Sequence, residues 1–223
     1  MQSNSNRYSR AAAVAGTLAA LALWPAIGAA QQVSGQASAV RSTVLGVTTT
    51  LAGTGPLSGV DDARGAMEQA AGIPSLGSAS TLQAATISNI WDHDGTDNVA
   101  SEASLGDLNL GVVGNLISAD FVMARASSLA SGASTGSSEI ANLVINGSPV
   151  SVSGAPNQTL NLVGGRITLN EQQASAGGMV VNAMHIVIYG VADVVIASAS
   201  SGIGGSAPPP SSPLPPLPRL PGL

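Results

Sequence analysis

The sequence predicts an all-β fold, a two-sheet antiparallel β-sandwich assembled from hairpins, and three observations carry that reading. Apolar residues recur with a period of two rather than 3.6, the signature of strands with one buried face. Pairs able to take positive φ, Asn146-Gly147 and Gly164-Gly165, separate the alternating runs. Val and Ile dominate the last apolar run, Met179 to Ala197, and both favour strands over a buried helix hairpin.

The elements follow in chain order. Arg7 and Arg10 precede an apolar run from Ala11 to Ile27, broken at Pro25, and the small residues Gly28-Ala29-Ala30. That order reads residues 1–30 as a signal peptide cleaved after export by the general secretory route. The run is shorter than the ~20 apolar residues of a spanning helix and holds a proline, which argues against a retained anchor. The expectation is therefore no membrane span in the mature chain. Tyr8 and Ser9 separate the two arginines, which argues against a twin-arginine signal.

Residues 31–205 read as one all-β domain. Within it, residues 56–85, rich in Gly, Ala, Ser and Pro, read as loop with one short helix from Asp61 to Ala71, where Asp61 and Asp62 suit a helix start. In the stretch from Ile117 to Met123, Ile117, Ala119, Phe121 and Met123 fall on one face and Ser118 and Asp120 on the other. Leu143 and Ile145, Val150 and Val152, Leu160 and Leu162, and Ile167 and Leu169 repeat the alternation and give two consecutive hairpins. The run from Met179 to Ala197 is apolar on both faces apart from Asn182, His185 and a break from Tyr189 to Asp193, which makes it a pair of central strands.

Residues 206–223 are proline-rich. They cannot supply donors to a sheet and favour extended polyproline II, so they read as a disordered tail. No apolar helix or Leu-Pro-x-Thr-Gly signal follows, and the expectation is a chain that is released or held by a partner. A short echo, Asn109-Leu110, Asn142-Leu143-Val144 and Asn161-Leu162-Val163, each leading to glycine, recurs at spacings of 33 and 19 residues. A β-solenoid is the alternative architecture, but it needs a fixed period.

Composition limits the chemistry. The 223 residues include no Cys, no Lys and two His, and 9% are charged. Without the signal, five arginines face twelve carboxylates, a formal charge of −7. That balance disfavours nucleic acid and anionic surfaces, which need clustered Lys and Arg. Without disulfides, stability must come from burial and hydrogen bonding. The domain carries few aromatics (Trp91, Phe121, Tyr189), hence no stacking platform for sugars or bases.

Several ordered motifs together resemble a known family. They are Ile117-Ser-Ala-Asp-Phe-Val-Met-Ala-Arg-Ala, Ile140-Ala-Asn-Leu-Val-Ile-Asn-Gly, Pro156-Asn-Gln-Thr, Gly165-Arg-Ile-Thr-Leu-Asn-Glu-Gln172, Val181-Asn-Ala-Met-His-Ile186 and Ala192-Asp-Val-Val-Ile-Ala-Ser-Ala199. From about residue 31 to 203 the chain resembles the choice-of-anchor P family, exported bacterial proteins sharing a body but differing in the carboxyl-terminal sorting signal. The resemblance implies a secreted or cell-envelope location. It brings no catalytic or binding residues, and the proline tail departs from anchored members.

Three constellations offer chemistry. In Trp91-Asp-His-Asp-Gly-Thr-Asp-Asn98, the side chains of Asp92, Asp94, Asp97 and Asn98 bring oxygen ligands around a glycine turn, as a Ca²⁺ loop requires. The twelfth position from Asp92 is Ala103, with Glu102 one residue early, so the pattern departs from an EF-hand. The other reading is a polar turn in which Asp and Asn cap their own backbone. His93 and His185 with nearby Asp suggest a metal site or triad, yet no Gly-x-Ser-x-Gly accompanies them. His93 therefore reads as solvated, and His185 as a strand residue hydrogen-bonded to its neighbours. Asn170-Glu171-Gln172 with Asn182 reads as polar groups satisfying loop backbone at strand ends, or as a ligand site.

The expectation is a non-catalytic secreted or cell-envelope protein of structural or adhesion type, presenting a Ser/Thr/Asn-rich β surface to extracellular matrix, wall polymer or another copy of itself. No nucleic-acid partner is expected. The alternative is a calcium-dependent binding protein or a hydrolase using the Asp92–Asn98 loop, with calcium its one cofactor.

Overall fold

The computed structural model describes residues 32–90 and 96–204. The predicted signal and proline tail lie outside them. The described residues form fourteen strands in two antiparallel sheets, and they contain no helix. One sheet runs in the order β11 (Gln158–Leu162), β12 (Gly165–Ser175), β13 (Gly178–Ile188), β14 (Ala192–Ile203), β1 (Val33–Val44), β2 (Val47–Gly53). The other runs β10 (Ser148–Pro149), β9 (Val144–Ile145), β7 (Asn115–Leu129), β6 (Asn98–Val112), β5 (Gly77–Asn89), β3 (Asp61–Glu68). Short β4 (Ala71–Ile73) continues beside β3 along β5, and β8 (Ser134–Ala141) beside β9 along β7.

The sheets stack face to face. Strand β14 lies over β6 and β7, β1 over β5 and β6, and β13 over β7 and β8. The expected sandwich is therefore present, and the antiparallel ladders exclude the parallel coils of a solenoid. Strands β13 and β14 are the central pair of the six-stranded sheet, as their apolar faces predict. The core is aliphatic: Val40, Leu82, Leu105, Leu108, Ile167, Leu169, Met184, Ile186 and Ile196 are almost fully buried. Each such side chain contributes roughly 1.5–3 kcal/mol of burial, so number replaces aromatic bulk. Close approach is bought with glycine at Gly136, where a Cβ would meet Val181 Cγ2 at 2.5 Å.

Both sheets interrupt their alternation. In the six-stranded sheet the ladders skip one level, at Asn170, Ala183, Ala197, Ala39 and Ala52 across β12, β13, β14, β1 and β2. Asn170, Ala197 and Ala52 there take positive φ (50°, 51° and 44°), marking a transverse row of bulges. At this row Ala183 and Met184 both join the core, as do Ile196 with Ala197 and Ala39 with Val40. In the other sheet the β6–β7 ladder skips Asp107 (φ 46°) and Asp120.

That interruption corrects the Ile117–Met123 pattern. Beyond Ala119 the residues packed into the central cluster are Val122, Ala124 and Ala126; Phe121 is only half-buried, and Met123, although buried, lies outside that cluster. Three further expectations are corrected. Asp61 to Glu68 is strand, and residues 56–85 hold β3, β4 and most of β5; β5 pairs with β3 along its whole length, and the pleat makes its exposed and half-buried residues alternate. Val150 and Val152 follow two-residue β10 in an irregular segment, although both pack on the core. The turn of the β11–β12 hairpin is Val163-Gly164, because Gly165 pairs with Leu162. Asn146-Gly147 is a turn as expected, with both φ positive.

Candidate functional site

The outer face of the eight-stranded sheet holds a trough of about 670 Å³. Ladder register builds it from two rows across five strands. Ala63, Ile87, Ala100, Ser127 and Thr135 form one row, and Gly65, Ala85, Glu102, Arg125 and Ser137 the next. Small side chains on β3, β5 and β6 leave the depression; hydroxyls from β7 and β8 line its other side. Arg125 Nε donates to Glu102 Oε2 across adjacent strands, an exposed pair that places both charges within the trough. Met67, 63% exposed, stands on β3 two residues beyond Gly65.

The outer face of the six-stranded sheet carries a different constellation. His185 on β13 is held between two carboxylates: Nδ1 lies 3.0 Å from both Glu171 oxygens on β12, and Nε2 lies 3.2 Å from Asp193 Oδ1 on β14. Asn182 Nδ2 donates to Glu171 Oε2 at 2.6 Å, and Ser198 Oγ donates to Asn182 Oδ1 at 2.7 Å. Burial disfavours the imidazolium, but its hydrogen bonds to the Asp193 and Glu171 carboxylates outweigh that and raise the His185 pKa to about 9. Burial likewise works against the Glu171 carboxylate, and His185 and Asn182 override it to hold its pKa below the usual range. Both ring nitrogens are thereby engaged by carboxylates.

The sequence-predicted residues fall as follows. Asp92, His93 and Asp94 lie outside the described residues. Asp97 is buried, and its carbonyl accepts the Ala130 amide at 2.9 Å. Asn98 opens β6 and pairs with Asn89 and Leu129. Among the described residues no group of three metal-binding side chains comes together. Asn170, Glu171 and Gln172 stand inside β12 rather than at its end. Asn170 Nδ2 and Gln172 Nε2 do reach backbone, at Gly154 O and Gly136 O, whereas Glu171 turns to the opposite face and binds His185.

The trough escaped sequence reading because it needs the register of β3, β5, β6, β7 and β8, and two of these strands fall wholly or largely in a segment read as loop. The carboxylate pair around His185 was equally hidden, since Glu171 and Asp193 meet it from two different strands. Compared with protein-family models, with curated proteins and with solved structures, the chain matches nothing.

Proposed function

We propose that the protein is a non-catalytic binding protein of the cell envelope or exterior, and that the trough on the eight-stranded sheet receives an extended wall or matrix polymer. The observation that carries this reading is the trough's floor of Ala63, Gly65, Ala85 and Ala100, flanked by Ser127, Thr135 and Ser137. Small residues admit close approach of a polymer backbone, and hydroxyls offer both donors and acceptors along it. The Glu102–Arg125 pair supplies one anion and one cation to a ligand that displaces their mutual contact.

The resemblance to exported choice-of-anchor P proteins and the amino-terminal signal pattern support the location. Occupation of both His185 nitrogens supports a role other than general base catalysis. The test is co-sedimentation of the protein with insoluble peptidoglycan, and separately with cellulose and chitin. Binding to one polymer that Ala100→Trp weakens on the order of tenfold or more, at unchanged thermal midpoint, is the expected result. Binding to none, or binding indifferent to Ala100→Trp, would overturn it.

A further inference from the structure

Five hairpin turns gather at one end of the sandwich. Leu45-Gly46, Val113-Gly114, Asn146-Gly147, Val163-Gly164 and Tyr189-Gly190 join β1 to β2, β6 to β7, β9 to β10, β11 to β12 and β13 to β14. Hydrogen bonds tie them in series. Leu45 N donates to Val191 O at 2.9 Å, Tyr189 N to Gly164 O at 3.0 Å, and Leu116 N to Asn146 Oδ1 at 2.8 Å. The buried Asn115 amide pairs with the Val163 backbone in both directions, Nδ2 to O at 3.0 Å and N to Oδ1 at 2.9 Å. Leu45, Val47, Val113, Leu116, Val163 and Tyr189 nevertheless remain 53–77% exposed. Around these turns the charges are Arg166 and Asp193, and His185 already engages the latter.

Two of the apolar tips stand where folding alone disfavours them. Leu45 and Val113 take φ of 49° and 47° ahead of glycines that are also left-handed, the geometry in which Asn-Gly is preferred. The neighbouring Asn146-Gly147 turn carries that preferred pair. A β-branched Val at positive φ is strained, and strain retained at an exposed position points to function.

We propose that this end is a lipid-facing tip that dips its apolar turns into the interfacial zone of a bilayer. The amides of Leu45, Leu116, Asn146, Val163, Tyr189 and Val191 are already hydrogen-bonded within this end, so leaving water does not strand them. The exposed apolar side chains come from four separate turns, or from the strand residues beside them, and a fluid bilayer accommodates such dispersed tips without a matching surface. Tyr189 suits the headgroup level, with an apolar ring and a polar hydroxyl. With a single cation at the tip and a negative chain, binding is expected to zwitterionic phosphatidylcholine and to gain nothing from anionic lipid.

The test uses the full chain with phosphatidylcholine vesicles. Because the protein has no cysteine, a polarity-sensitive fluorophore can be attached singly to Val163→Cys at the tip, or to Ser131→Cys in the β7–β8 turn at the far end. A blue shift with shielding from an aqueous quencher at residue 163 but not at 131 is expected, whatever residues 11–27 contribute to partitioning. Leu45→Asn with Val113→Asn should abolish that shift while raising the thermal midpoint by about 2–4 °C per substitution, which separates lost binding from lost folding. No shift at 163 with vesicles would overturn the proposal. A shift without vesicles that follows protein concentration would assign the tip to a second copy and overturn it equally.

Discussion

His185 is a cation among carboxylates on a sheet face, and its titration makes stability depend on pH. Its pKa, raised to about 9 from 6.5, means that the network's contribution is complete below pH 6.5 and fades as pH rises through 9. Glu171, lowered from 4.5, gives the opposite limb: its contribution is present above pH 4.5 and fades on acidification. Urea unfolding between pH 4 and 10 should therefore show a plateau at about pH 5–6.5 and a decline toward pH 9 that His185→Gln removes. Because both carboxylates would lose the cation they share, His185→Gln should cost on the order of 3 kcal/mol at pH 6. A flat wild-type profile would contradict the assignment. Asn115 gives a second residue-scale outcome. Its amide joins the β6–β7 turn to the β11–β12 turn through both Val163 backbone groups, and Asn115→Ala leaves them unpaired, at about 1–3 kcal/mol by thermal or chemical unfolding.

At the scale of elements, legibility tracked side-chain contrast. Strands β13 and β14 announced themselves because Val and Ile crowd both faces, and Asn146-Gly147 because that pair has few other uses. Strand β3 is poorly legible: its Asp61-Asp62 start resembles a helix cap, and only the β5 ladder decides otherwise. Phe121 lies off the face that alternation predicts because a bulge at Asp107 and Asp120 changes the alternation without any residue type that marks it. The same blindness covers Ala197, an ordinary alanine in sequence and a left-handed bulge in the sheet. Ala197→Val should lose about 1–3 kcal/mol, since a β-branched side chain at φ 51° is strained and the site is fully buried. Gly136→Val should lose a similar amount by driving methyls into Val181 and Met179, with β8 opening to hydrogen exchange first.

For the whole molecule, the fold separates three surfaces by chemistry. The eight-stranded sheet turns small and hydroxylated residues outward, the six-stranded sheet carries the His185 ion network, and the linked turns at one end are apolar. At their edges Glu68 Oε1 on β3 accepts the Ala52 amide of bulged β2 at 2.7 Å, which couples one sheet to the other. No helix among the described residues is long and apolar enough to cross a membrane. Fold class was legible in the sequence because it rests on period and composition; the surfaces were not, because each is assembled across strands distant in the chain.

The measurement that tests the polymer-binding reading most directly is hydroxyl-radical footprinting of the protein alone and bound to the polymer that sediments it. Loss of oxidation at Met67 and Ile87, 63% and 40% exposed beside and within the trough, with Leu45 and Val163 unchanged, is the predicted result. Polymer-bound protein in which Met67 and Ile87 oxidise as fast as in the free protein would contradict it.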